Sequence, residues 1–157
     1  MAIVRGKKQL ARAFLLVGLT ILVLLILHFR SLWQAIIAFI PLLSAIILTL
    51  GVVVAVKVQF DMISIFALPL IIGIGIDDGV HVIHRLNVSD VGIQEVFSSV
   101  GRAIFLTSLT TMASFGSLML GQYQGIFRFG FTLFFGIAFC FIMTLFLLPI
   151  FIKRNHK

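Results

Sequence analysis

Residues 62–86 read MISIFALPLIIGIGIDDGVHVIHRL, and the fold turns on how much of this stretch a bilayer must cover. From Met62 to Ile76 there are fifteen residues without an acid or a base. Wound as a helix they cover roughly 22 Å, whereas a hydrocarbon core of roughly 30 Å needs about 20 residues. The segment can cross only if Asp77, Asp78, Gly79, Val80 and His81 also lie inside the bilayer or at its edge. A carboxylate at the centre of a bilayer costs roughly 2.5–3.5 kcal/mol on insertion scales, so acids placed this deep are expected to be functional.

The rest of the chain fits a membrane. Of its 157 residues 61% are apolar and 11% charged, and the mean hydropathy is +1.24. Ordinary soluble domains run near about 45–50% apolar and 25% charged. Four further runs lack any charge: 13–29, 31–56, 103–127 and 129–152. Backbone exposed to lipid must be helical or closed in a barrel, and runs this long suit helices rather than strands of about ten residues. The expectation is an all-α integral membrane protein. It would be a single transmembrane domain over 1–157, a bundle of five helices at about 12–29, 32–56, 62–85, 103–121 and 126–152. In the polar link, Ile93, Val96, Phe97 and Val100 recur on one helix face, which predicts a short amphipathic surface helix over about 90–100, capped by Ser89. Pro41 and Pro69 predict local kinks, and Trp33 and Tyr123 lie near helix ends as an aromatic belt would place them. The single cysteine, Cys140, leaves no disulfide framework and no Cys-rich metal site.

The net charge of +7 comes from twelve cations that lie between the apolar runs and at the ends. Those are the places where basic residues meet lipid headgroups, so membrane lipid rather than nucleic acid is the expected partner. With five crossings, Arg30, Arg85, Arg102, Lys153, Arg154 and Lys157 share one side, and Arg5, Lys7, Lys8, Arg12, Lys57 and Arg128 the other. The six-to-six tie breaks toward a cytoplasmic C-terminus if the first dozen residues are set aside as a cut end. An uncleaved signal anchor at residues 5–29 would argue the reverse.

At 100° per residue, Gly73, Asp77, His81 and His84 fall on one helix face, and Asp78 lies about a quarter-turn away on the side of Arg85. Gly73, Gly75 and Gly79 thin the helix around the acids, so another helix can approach closely. Adjacent acids in a low-dielectric setting oppose each other's ionisation, so this pair is expected to exchange a proton and bias two helix arrangements. Asp77, Asp78 and His81 are therefore the candidate proton relay, with His84 toward the exit. Two other readings remain open: pairing of either acid with Arg85 or Arg102, and a metal site of Asp77, His81 and His84, which lacks a fourth ligand. On the fourth helix Thr107, Ser108, Thr110 and Thr111 suit helix packing through hydroxyl-to-carbonyl bonds, with relay as a second role. No nucleophile constellation, phosphate loop or dinucleotide fingerprint is present, so neither an enzyme nor a cofactor is expected.

These residues carry a resemblance. The run from Gly73 through Asp77, Asp78 and Gly79 to His81, then Arg102 and Ala103 leading into residues 106–111, then a last helix ending Leu147, Leu148, Pro149, resembles the resistance-nodulation-division (RND) superfamily. The nearest branch is its MmpL-like and Patched-like lipid exporters, and the match covers about Phe14 to Ile152. The resemblance implies proton-driven export of hydrophobic or lipid-like molecules from a bacterial inner membrane, with Asp77 matching the family's membrane acid and Asp78 its Asp-Asp variant. It also implies that the five helices are the last five of a six-helix C-terminal half. The first helix and the large extracytoplasmic domain are missing, so a truncated or split exporter is expected, completed by a partner membrane chain or by further copies of itself. The alternative is a structural or vestigial membrane protein without transport of its own.

Overall fold

In hydrocarbon every backbone N–H and C=O must be satisfied within the protein, and long apolar helices meet that demand segment by segment. The computed structural model describes residues 2–29, 31–59, 61–88 and 93–155, and among these every regular element is helical. The order is α1 (Ala2–Phe29), α2 (Leu32–Ala55), α3 (Met62–Ile65), α4 (Ala67–Val88), α5 (Ile93–Ser117), a 3-10 turn (Leu118–Leu120) and α6 (Gln124–Asn155). Four segments are long and apolar enough to cross a membrane: Leu32–Ala55, Ile63–Arg85, Ser98–Leu120 and Gln124–Phe151. Leu15–Phe29 within α1 is a shorter apolar helix. The chain is a multi-pass, all-α membrane protein.

The boundaries differ from expectation in three places. The third membrane segment is broken at Phe66, where α3 ends and α4 begins. Pro69 explains the break. Its ring excludes the carbonyl of Ile65, four residues back, and it has no N–H to donate to that carbonyl. In the first turn of α4 that missing N–H costs nothing, so the expected kink becomes a helix boundary. The second difference is the surface helix. Residues from Ile93 onward run without interruption into the membrane segment as one helix, α5; no proline intervenes, and Gly101 is accommodated with Leu145 at ordinary van der Waals distance. Ser89 and Asp90 lie outside the described residues. Third, α1 begins at Ala2 rather than near 12, and α6 reaches Asn155.

The chain divides into two compact units, Met1–Ala35 and Ile36–Lys157. The first contains α1, where the His28 ring stands edge-on to Phe29 with centroids 5.0 Å apart. In the second, α6 is the element on which α3, α4, α5 and the 3-10 turn all pack. Its buried line of Leu133, Ile137, Cys140, Thr144 and Leu148 repeats every three to four residues, the spacing of one helix face.

Helix α4 lies between α2 and α6. A side chain added at Gly75 would collide with the Cys140 sulfur of α6 and reach 3.1 Å from a Leu42 methyl of α2, and one at Gly79 would lie 3.2 Å from the Ala38 carbonyl oxygen. Gly73 differs: a side chain there meets nothing within 4 Å. Close helix approach is thus made at two of the three expected glycines. This sets opposite expectations for two similar substitutions. Gly73→Ala should be neutral or stabilise the chain by up to about 1 kcal/mol, the helix-propensity gain. Gly75→Ala should lose more than that gain through overpacking, which costs about 1–3 kcal/mol. Thermal unfolding of both variants in detergent measures the difference.

Candidate functional site

A cavity of about 600 Å³ lies between α4 and α5. From α4 it is lined by Ile74, Asp77, Asp78, His81, His84 and Arg85, and from α5 by hydroxyls at Ser99, Thr107, Ser108 and Thr111. Helical periodicity explains the α4 wall: positions 77, 81 and 84 share one exposed stripe, while Asp78, a quarter-turn away, is half-buried. Ser108 is almost fully enclosed, 4% exposed, and its hydroxyl lies beside the Asp78 carboxylate. Behind Asp78, in electrostatic range of it, is the buried Cys140 thiol.

The hydroxyls of α5 divide by function. Thr107 donates to the carbonyls of Ala103 (3.2 Å) and Ile104 (3.0 Å), and Thr111 to that of Thr107 (2.7 Å). Their single protons are directed at the helix backbone, which leaves oxygen lone pairs facing the cavity. These two therefore offer acceptors, whereas Ser108 offers a donor. Thr110 also donates to the Thr107 carbonyl, at 2.9 Å, but it does not line the cavity. Of the candidate residues, Asp77, Asp78, His81, Thr107, Ser108 and Thr111 come together; Thr110 and Gly73 do not. Among the described residues neither Asp77 nor Asp78 is ion-paired with Arg85 or Arg102, and no three His, Cys, Asp or Glu side chains converge as metal ligands.

The acid that is ion-paired is Asp61, which sequence reading counted only as part of a link. Its Oδ1 accepts from the backbone N–H of Ser64 at 2.8 Å and the Ser64 hydroxyl at 2.6 Å, capping α3. Its Oδ2 is 3.6 Å from Nη1 of Arg128 on α6. Arg128 also donates to Gln124 at 3.0 Å and Gln59 at 3.4 Å. Nothing in sequence joins residue 128 to residues 59 and 61. The nearest signal is an Asp three residues before a Ser at a helix start, the usual N-cap spacing.

A family model described as Patched SSD matches residues 12–152. The chain belongs to this family. It is also similar to a membrane protein of Methanocaldococcus jannaschii, 33% identical over 145 residues, covering 87% of this chain and 37% of that one. The hopanoid transporter HpnN of Rhodopseudomonas palustris is 28% identical over 128 residues, 79% of this chain and 14% of the transporter. HpnN of Burkholderia multivorans is 29% identical over 107 residues, 68% of this chain and 12% of the transporter. The chain therefore spans well under half the length of the curated relatives it matches. No solved structure matches it. This Patched SSD member is an RND-type membrane module, and the cavity of α4 and α5 falls wholly inside the matched region.

The cap at Asp61 gives a measurable pH response. Hydrogen bonds from the Ser64 hydroxyl and backbone N–H, more than the Arg128 charge, hold the Asp61 carboxyl below its usual value of 3.8, with burial opposing slightly. A depressed carboxyl stabilises the fold fully above its unfolded pKa, and that stability is lost as pH falls through the lower, folded value. Asp61→Ala should cost about 1 kcal/mol at neutral pH, the usual worth of an N-cap. The deficit relative to the parent should shrink as the pH drops below 4, which denaturant or thermal unfolding across that range would register.

Proposed function

We propose that the chain is the transmembrane module of a proton-driven exporter of hydrophobic or lipid-like molecules, in which Asp77 and Asp78 take up and release the coupling proton. The observation that carries this reading is the shared cavity: two adjacent acids and His81 on α4 face Ser108, Thr107 and Thr111 on α5. Charge among apolar helices is costly, so proton binding changes which helix arrangement is favoured. His81 and His84 continue the polar wall toward the end of α4 and suit proton exit by that route. Relatives named as hopanoid transporters support a hydrophobic or lipid-like cargo.

The module works in the cell membrane, in a bacterium the inner membrane, with its C-terminus cytoplasmic. Its relatives are far longer, and the module acts together with a partner membrane chain or with further copies of itself.

The test uses the chain purified with whatever membrane protein accompanies it, in vesicles carrying a pH gradient and a fluorescent lipid analogue. Replacing Asp77 and Asp78 together by Asn should reduce gradient-driven efflux to that of protein-free vesicles, with the helical content unchanged. Efflux that persists in the double variant overturns the reading.

A further inference from the structure

Among the described residues one buried side-chain polar atom has no hydrogen-bond partner, Oγ1 of Thr144 on α6. Its isolation contrasts with every other threonine hydroxyl whose bond is seen. Thr49 donates to the Ala45 carbonyl at 2.7 Å and Thr132 to that of Arg128 at 2.8 Å, and both are as fully buried as Thr144. Thr107, Thr110 and Thr111 do likewise, each to a carbonyl three or four residues back. That local bond is open to any helical threonine. Thr144 makes no such bond, and an unpaired hydroxyl at zero exposure is costly to keep.

The helix register points to a partner. Ile71 meets Gly136 and Gly75 meets Cys140, so α4 and α6 run parallel with a constant offset. Continuing one turn puts Thr144 at the level of Asp78 and Gly79. On α6, Thr144 lies 40° round from Cys140, which faces α4. It is turned toward the side where Phe141 meets Phe105 and Phe134 meets Gly116 of α5. On α4, Asp78 lies 60° from Gly75, turned toward Ser108 of α5. Asp78, Ser108 and Thr144 therefore converge on the junction of α4, α5 and α6.

We propose that Thr144 is a positioning residue for Asp78, a second docking hydroxyl that the acid engages when its side chain swings from Ser108 toward α6. Ser108 holds the carboxyl from α5 and Thr144 holds it from α6, which gives the acid two defined positions, each with a neutral partner. This inference rests on Asp78 being an exchanging acid, but its test does not require transport. The other titratable and charged groups near Asp78 are Asp77, His81, His84 and Arg85 along the cavity wall of its own helix and Cys140 on α6; α5 contributes hydroxyls.

Infrared spectroscopy of the whole chain in lipid reads the site directly. The carboxyl C=O band of protonated Asp78 is identified by its loss in Asp78→Asn. It should have two components in the parent, one for each hydroxyl. Ser108→Ala should remove one and Thr144→Val the other, with Thr144→Ser restoring the parent band. Where the valine variant does not fold, Thr144→Ala is read in the same way. A single component in the parent overturns the inference. So does a band unchanged in Thr144→Val, above all if that variant also melts at a higher temperature, as removal of a merely unpaired hydroxyl would predict. If the two components behave as expected while efflux survives loss of both acids, the positioning role stands and proton-driven transport falls.

Discussion

A helix segment too brief to cross lipid without carrying two carboxylates into it constrains the rest of the second unit. Burying a carboxylate's surroundings requires neighbours that come close, and close approach requires small residues on α4. Gly75 lets Cys140 and Leu42 in, and Gly79 admits the backbone of Ala38. With α2 and α6 seated this tightly at Gly75 and Gly79, Asp77 lies on the far face of α4 and Asp78 on its flank, where a cavity separates α4 from α5. The same glycines that weaken α4 as an isolated helix therefore orient its polar face.

The two kinds of acid site in this chain show different chemistry. Asp61, beside a water-facing link, is met by Arg128, by Ser64 and by a helix-start N–H, all of which favour the ionised form. A permanent guanidinium cannot release its charge, so such a pair is a fastening. Asp78 is met instead by the neutral hydroxyl of Ser108. A hydroxyl can donate to a carboxylate or accept from a carboxylic acid, so it remains a partner in either protonation state. Neutral partners are what a site needs if protons are to come and go without the helices falling apart. Among the described residues the Arg-paired acid, Asp61, meets Arg128 at the start of α6, and neither residue lines the cavity.

Much of this was legible in sequence because the signals were local. The apolar runs gave the helices, and the 100° step put Asp77, His81 and His84 on one stripe, which is where the cavity wall lies. On α5, sequence assigns Thr107, Ser108, Thr110 and Thr111 chiefly to helix packing; three of them, Thr107, Ser108 and Thr111, line the opposing wall. What escaped depended on contacts between helices. Gly73 and Gly75 are two residues apart and look alike as sequence, yet only Gly75 faces a neighbour. Pro69 signalled distortion, but whether it kinks a helix or starts one depends on which residue begins the turn. The amphipathic spacing of Ile93, Val96, Phe97 and Val100 suggests a separate surface helix, yet helical backbone continues from it into the membrane segment, since no proline in 93–117 breaks it. Arg128 and Asp61 are far apart in the chain, and Thr144 is one threonine in an apolar run until its missing bond is compared with those of Thr49 and Thr132.

The cavity has a direction. Its lining on α4 runs from Ile74 to Arg85 and on α5 from Ser99 to Thr111, which is the end of one helix and the first half of the next. Both belong to the same side of the membrane. Toward the other side, α4 presents Ile71, fully buried and pressed against Gly136, where α6 has no room even for a methyl group. The acid pair thus lies toward one end of this lining, with His81, His84 and Arg85 continuing the polar wall to the end of α4. Both walls of the cavity, α4 and α5, rest on α6, so a displacement of α6 would move them together.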